Sequence, residues 1–127
     1  MRERLRDVLA ADPRVAFAFA FGSFAEDRPF HDIDVGVYVN HGAENREPAA
    51  DPAFADLEAR LAAIARFPVD LVVLNDRPVT FLYHVYRGEV LVARDEAQLT
   101  SALERTMRLY FDIAPVLQQA TREAFGT

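Results

Sequence analysis

The chain has 127 residues, 51% of them hydrophobic, and a formal net charge of −6 at neutral pH. This length and composition are typical of one globular domain with a single core, so we expect one domain over residues 1–127. The lack of cysteine excludes disulfides, thiolate zinc sites and cysteine nucleophiles, and the acidic balance disfavours general nucleic-acid binding.

The N-terminal segment predicts a helix and gives no sign of a membrane or export signal. No apolar run approaches the ~18 residues that a membrane span requires. The start is basic, and residues 2–11 place apolar side chains at helical spacing rather than in a continuous signal-peptide core. We therefore expect a first helix that ends at Asp12-Pro13, no membrane segment and a cytoplasmic location.

A strand followed by a sharp corner comes next. Residues 16–21 are uniformly apolar, which predicts a buried strand, and Gly22-Ser23 follows directly. Glycine lets the backbone come close to a ligand, and Ser23 is a candidate cap for a short helix over residues 24–26. The N-terminus of such a helix suits the oxygens of a triphosphate, so Gly22 and Ser23 are candidate phosphate-binding residues.

Two aspartates open the second predicted strand, at Asp32-Ile33-Asp34. Side chains alternate along a strand, so Asp32 and Asp34 project to the same side. Two carboxylates this close repel each other unless they are protonated or bridged by a cation. Mg²⁺ prefers such oxygens and completes its shell with water and substrate phosphates. The alternative is an ordinary polar triplet on an exposed strand.

A third carboxylate lies in the next strand. Residues 40–52 predict a polar, flexible loop that borders the site, and apolar residues at Phe54, Leu57, Leu61 and Ile64 then predict a helix packed on the sheet. Residues 69–74 predict a buried strand in which Asp70 is the sole charge. If this strand is adjacent to the Asp32/Asp34 strand, Asp70 is a candidate base or metal ligand. The alternative is a solvated residue at the strand entrance.

The C-terminal third predicts a short helix over residues 78–87, a turn at Gly88 and a strand over residues 90–92. From Asp95, with Gln98 three residues on, apolar residues recur at helical spacing and predict a long helix that Pro115 kinks or splits. We expect its first half to cover the sheet. The second half is expected to be available to a partner and contains Arg108, Tyr110, Phe111 and Arg122.

Three blocks of sequence together resemble a known family: FGSFAEDRPFHDIDVGV at 21–37, VDLVVLND at 69–76 and YRGEVLVARDE at 86–96. They resemble the minimal nucleotidyltransferases of the DNA polymerase β-like superfamily, and most nearly the MntA antitoxins that are paired with HEPN toxins. The resemblance implies an α/β fold with a mixed sheet flanked by helices. It also implies Mg²⁺-dependent transfer of a nucleotide from an NTP to a hydroxyl, with release of pyrophosphate.

The same resemblance assigns roles to individual residues. Gly22 and Ser23 would hold the β- and γ-phosphates, Asp32 and Asp34 the metal ions, and Asp70 would be the base or third ligand. It further implies that ATP is the donor and that a tyrosine of a HEPN toxin, bound as a hetero-oligomer, receives AMP and is inactivated.

Two other functions remain open from the sequence. Relatives usually have about ten residues with a basic residue and a glycine between Gly-Ser and Asp-x-Asp, whereas this chain has the shorter, acidic segment 24–31. Arg28 is a candidate to compensate for Glu26 and Asp27, and His31 is a candidate phosphate or ribose contact. An antitoxin that acts by binding alone would fit this loop. An aminoglycoside-type transferase normally has an added helical domain, which is not found here.

Overall fold

A computed structural model describes residues 1–40 and 52–125 as a four-stranded sheet with helices on both faces. Most of the predicted polar loop over 40–52 lies outside the described residues. The elements in chain order are α1 (Arg2–Ala10), β1 (Val15–Phe21), α2 (Gly22–Ala25), β2 (Ile33–Val39), α3 (Pro52–Ala65), β3 (Val69–Val73), α4 (Val79–Tyr86), β4 (Glu89–Ala93) and α5 (Glu96–Phe125).

The sheet is mixed, as predicted. Its strand order is β3-β2-β1-β4. β1 pairs antiparallel with β2 and with β4, whereas β2 pairs parallel with β3. Because β2 and β3 run in the same direction and β1 runs against them, the end of β1 lies beside the beginnings of β2 and β3.

The core occupies both faces of the sheet. All seven residues of β1 are buried, which agrees with their continuous apolar run. One face packs against α1 and α3, through Leu5, Leu9, Phe54, Leu57 and Leu61. The other face packs against α4 and α5, through Phe17, Phe19, Val85, Tyr86 and Leu99. The two faces of β1 therefore anchor two separate helical layers.

The structure corrects two of the helix predictions. The last core position of α3 is Ala65, which is 3% exposed, and not Ile64, which is 38% exposed. The core-facing positions thus follow the true helical period from Phe54 to Ala65. Of the two outcomes predicted for Pro115, the structure excludes the split, because α5 is one helix of 30 residues: the missing N–H removes one bond while its neighbours keep theirs. A kink at Pro115 stays a prediction.

The start of α5 agrees with its predicted cap. The Gln98 backbone N–H donates to Asp95 Oδ1 over 3.0 Å, which satisfies one of the free donors at the helix N-terminus.

The C-terminal half of α5 leaves large apolar side chains in solvent, with Phe111 62% and Val116 68% exposed. Within the part of the chain that the structure describes, no helix combines the length and apolar character of a membrane span.

The turn between α1 and β1 is held by a largely buried carboxylate. Asp12 is 6% exposed and accepts hydrogen bonds from the Arg14 backbone N–H, Nε and Nη2, the last over 2.5 Å. These bonds from Arg14 lower the pKa of Asp12 below its ordinary value of 3.8, against the opposing effect of burial.

We predict that Asp12→Asn lowers the free energy of unfolding by about 1–3 kcal/mol at neutral pH, because it weakens charge-assisted bonds in a buried turn. Since the folded-state pKa is depressed, this stabilisation is present above pH 3.8 and is lost as the pH falls through the folded value. Urea unfolding at neutral and acidic pH measures the difference. Asp7→Asn, at an exposed position of α1, is the control and should change little.

Candidate active site

Strand register gathers the three predicted aspartates at one end of the sheet. Asp34 lies opposite Phe21 of β1 on one side and opposite Asp70 of β3 on the other. Asp32 directly precedes β2 and is exposed, as is Asp70, whereas Asp34 is half-buried. Ile33 is fully buried on the α1/α3 face, so Asp34 faces α4 and α5. The parallel pairing of β2 with β3 is what brings Asp70 to this end.

The corner after β1 brings the Gly22 backbone into close contact with the Asp34 side chain. Gly22 has a φ of +75°, a left-handed conformation that favours glycine, and a Cβ there would lie 2.6 Å from Asp34 Oδ2. The backbone and the carboxylate therefore approach each other more closely than any other residue type would allow. The structure therefore brings Gly22 and Asp34 together, and their roles in binding phosphate and metal stay predictions.

Ser23 lies at this corner but does not cap the helix. α2 begins two residues earlier than predicted, at Gly22, with Phe21 as the N-cap residue and no side-chain capping hydrogen bond. The physical reason is the left-handed turn at Gly22, which starts the helix before Ser23 is reached. The first N–H groups of a helix have no intrahelical acceptor, so this corner still presents donors to an anion.

The three carboxylates act on each other electrostatically. Burial raises the pKa of Asp34 above its ordinary value of 3.8, and the negative charges of Asp32 and then Asp70 raise it further. The positive charge of His84 opposes this shift. Like charges held together in this way favour binding of a cation, which relieves their repulsion.

The donor set fits Mg²⁺, although the side chains do not converge into a finished cage. Within residues 1–40 and 52–125, no three acidic or histidine side chains are grouped closely enough to ligate one ion. Mg²⁺ commonly takes only one or two carboxylates and fills its remaining positions with water and substrate phosphates. Asp32 and Asp34 supply such a pair, with Asp70 beside it. Their roles as ligands, and that of Asp70 as base, stay predictions.

Two basic side chains at this end were not predicted. His84 in the last turn of α4 and Arg87 just after it line a cavity of about 110 Å³ with Gly22, Glu26 and Gly88. His84 lies outside the three blocks that resemble the family, and Arg87 lies in the third block, at 86–96, which assigned it no role. Both residues are far from the Gly-Ser corner in sequence and approach it through the pairing of β1 with β4. The sequence indicated only that they lie at the end of an apolar helix, just before a glycine turn.

The acidic loop is neutralised internally. Arg28 pairs with Glu26 over 2.5 Å, and Arg2 of α1 pairs with Asp27 over 2.9 Å. Arg28, the predicted compensating cation, therefore forms an ion pair within its own loop. His31 is exposed, and its contact with phosphate or ribose stays a prediction.

Comparison with known proteins identifies the class of protein that this fold and site define. Residues 3–97 match the family described as polymerase beta, nucleotidyltransferase. The match covers most of the chain, from α1 to the start of α5, and includes all the predicted site residues. The chain belongs to this nucleotidyltransferase family. No curated protein matches it significantly in sequence.

Several solved structures of toxin–antitoxin systems share this fold. A toxin–antitoxin with AMP-PNP superimposes with a TM-score of 0.67 at 22% identity, over 98% of this chain and 95% of that one. A point mutant of a MntA toxin–antitoxin gives 0.69 at 23% identity, over 98% and 94%. The tri-AMPylated HEPN toxin of Shewanella oneidensis with its MNT antitoxin gives 0.63 at 20% identity, over 98% and 95%.

The close approach at the corner makes Gly22 sensitive to substitution. We predict that Gly22→Ala lowers the free energy of unfolding by about 1–3 kcal/mol and displaces the Asp34 carboxylate, because alanine is strained at positive φ and its Cβ meets Oδ2. Thermal unfolding and the Asp34 carboxyl NMR shift measure the two effects. Ser23→Ala is the matched control. Wild-type stability together with an unmoved Asp34 signal would contradict the geometry.

The electrostatic coupling gives a second prediction. In metal-free buffer, Asp32→Asn should lower the pKa of Asp34, and Asp70→Asn should lower it less, since each removes a like charge. A carboxyl ¹³C titration by NMR reads this directly. Asp56→Asn, on the exposed surface of α3, should leave the Asp34 titration unchanged. If neither site variant shifts it, the three carboxylates are not coupled.

Proposed function

We propose that this protein is an MntA-type antitoxin that transfers AMP from ATP to a hydroxyl of a HEPN-type toxin, with a tyrosine as the acceptor. The observation that carries the proposal is the contact of the Gly22 corner with Asp34, itself flanked by Asp32 and Asp70. A phosphate-holding turn against a carboxylate cluster is the arrangement that phosphoryl transfer needs.

The proposed reaction forms one bond and breaks one. The acceptor oxygen attacks the α-phosphorus of ATP, the new O–P bond forms, and the bond from that phosphorus to the bridging oxygen of the β-phosphate breaks. Pyrophosphate leaves, and the proton of the acceptor hydroxyl passes to a carboxylate. Asp70 is exposed at the edge of the cluster and is the candidate base.

The other residues position the donor. The backbone N–H groups at Gly22 and Ser23 face the β- and γ-phosphates, and the Ser23 hydroxyl adds a donor. Asp32 and Asp34 would hold Mg²⁺, which supplies charge stabilisation at the attacking and leaving oxygens. Because the proposed donor is ATP, we propose that the reaction takes place in the cytoplasm.

The partner is proposed from two kinds of support. The similar folds named above come from toxin–antitoxin structures, one with AMP-PNP and one with a tri-AMPylated HEPN toxin. The C-terminal half of α5 exposes Phe111, Val116 and Leu117, an apolar surface on an element that projects beyond the core. A toxin bound there in a hetero-oligomer would present its hydroxyl to the carboxylate end.

One observation favours a second candidate, an antitoxin that neutralises its toxin by binding alone. Segment 24–31 is acidic, and its one arginine pairs with Glu26, so this segment offers no free cation to a nucleotide. The aminoglycoside-type alternative has no such support, because the described helices after β1 pack on the sheet or extend as α5.

The test uses the intact mass of the neighbouring HEPN-type protein after incubation with this chain, ATP and Mg²⁺. We predict mass gains in steps of one AMP, and no gain with Asp32→Asn/Asp34→Asn, because the variant lacks the charges that hold the metal. The matched control is Asp7→Asn/Asp56→Asn, which removes two exposed carboxylates away from the site and should keep full transfer.

Toxin activity in the same samples separates the two candidates. Neutralisation that requires Asp32, Asp34 and ATP supports transfer. A stable complex in which the toxin is silent, its mass is unchanged and the double variant works equally well would overturn the proposal in favour of binding alone.

A further inference from the structure

We propose that Arg87 and His84 form the protein's cationic site for the β- and γ-phosphates of the donor nucleotide, on the α4 side of the Gly22 corner. This inference rests on the proposed function, because it names where the triphosphate of that reaction binds. Neither residue belongs to the motif that carries the family resemblance at residues 21–37.

Both side chains share a cavity with the phosphate-holding turn. Gly22, His84, Arg87 and Gly88 line the same space of about 110 Å³, so an anion bound at the Gly22 backbone would share this space with both side chains. The His84 ring packs edge-on against Phe21, the residue before the turn, with ring centres 5.6 Å apart. His84 is also close enough to Asp34 to affect its pKa.

The backbone fixes Arg87 at this position. Gly88 follows it directly, and a Cβ on Gly88 would collide with the backbone oxygen of Ala20 in β1. The end of α4 therefore lies against the end of β1, two residues before Gly22. A binding residue held by so close a contact between backbones keeps its distance to the turn.

The guanidinium of Arg87 is available to a ligand. It lies 5.7 Å from the centre of the Tyr83 ring, which in turn stacks on Tyr110 with ring centres 3.7 Å apart. The carboxylate that shares its cavity, Glu26, pairs with Arg28. Among the described residues, no ion pair engages Arg87. An arginine supported by an aromatic ring and without a carboxylate partner is well suited to bind phosphate in a bidentate manner.

Charge balance requires such a site. Asp32, Asp34 and Asp70 make this end of the sheet strongly negative, and a nucleoside triphosphate is itself a polyanion. A divalent cation offsets part of this repulsion, and the segment after the Gly-Ser corner contributes none, because Arg28 is paired. Arg87 supplies positive charge from the α4 side of the corner, with His84 beside it in the same cavity.

The same groups would act in the reaction. When the α-phosphorus bonds to the acceptor oxygen and its bond to the β-phosphate oxygen breaks, negative charge grows on the departing pyrophosphate. The Arg87 guanidinium on the β- and γ-phosphates stabilises that charge as it develops. Loss of Arg87 should therefore weaken binding of ATP and slow transfer, with little effect on a ligand that lacks these phosphates.

The experiment compares the binding of a non-hydrolysable ATP analogue and of AMP, each with Mg²⁺, by calorimetry. Arg87→Gln should weaken the analogue roughly 10- to 100-fold, as expected for a lost charged hydrogen bond, and leave AMP within about twofold. His84→Gln should weaken the analogue less. Arg4→Gln on α1 removes the same charge from an exposed position and is the matched control. Thermal unfolding verifies that each variant is folded.

The outcomes distinguish this inference from the proposed function. If the wild type binds the analogue and Arg87→Gln binds it equally well, the triphosphate site lies elsewhere while the proposed transfer stands. If Arg87→Gln weakens both ligands equally, the residue does not read the β- and γ-phosphates, and the inference is wrong. If the wild type binds neither ligand, both proposals fail together.

Discussion

The register of three neighbouring strands is the constraint on which the rest of this structure depends. Phe21, Asp34 and Asp70 lie side by side because β1 runs antiparallel to β2 and β2 runs parallel to β3. A shift of one residue in either pairing would turn a carboxylate toward the opposite face, where Ile33 and Val69 fill the core. Backbone hydrogen bonds and burial therefore hold together groups whose charges repel one another.

The surrounding fold offsets this repulsion. β1 is buried over its whole length between two helical layers, so the sheet that positions the aspartates has apolar packing on both faces. Gly22 and Gly88 let the backbone approach Asp34 and Ala20 where any side chain would intrude. Burial, and then the charges of Asp32 and Asp70, raise the pKa of Asp34, and a bound cation would favour its charged form.

Much of this arrangement could be predicted from the sequence, because the relevant signals are local. The apolar run of β1, the alternation around Asp34 and the lone charge in β3 each follow from strand geometry. The cap of α5 at Asp95 was predictable for the same reason. These features depend on neighbours within a few residues. The family match over residues 3–97 includes β1, β2 and β3 in full.

The features that could not be predicted depend on the tertiary structure. Ser23 loses its expected capping role because Gly22 already starts the helix, and α5 continues through Pro115 because one missing donor is not enough to end it. Arg87 lies in the family block at 86–96, but its place beside the Gly22 corner depends on the pairing of β1 with β4, which that block alone does not specify. Arg28 pairs with Glu26, a choice of partner that the sequence alone did not specify.

The most direct test of the central claim, that the carboxylate end of the sheet is a metal–nucleotide site, is amide NMR of the chain with ATP and substoichiometric Mn²⁺. A paramagnetic ion broadens the signals of nearby nuclei. We expect broadening that centres on Gly22, Asp32, Asp34 and Asp70, extends to Arg87, and spares the far ends of β2 and β3. Broadening centred elsewhere, or spread over all exposed carboxylates alike, would contradict it.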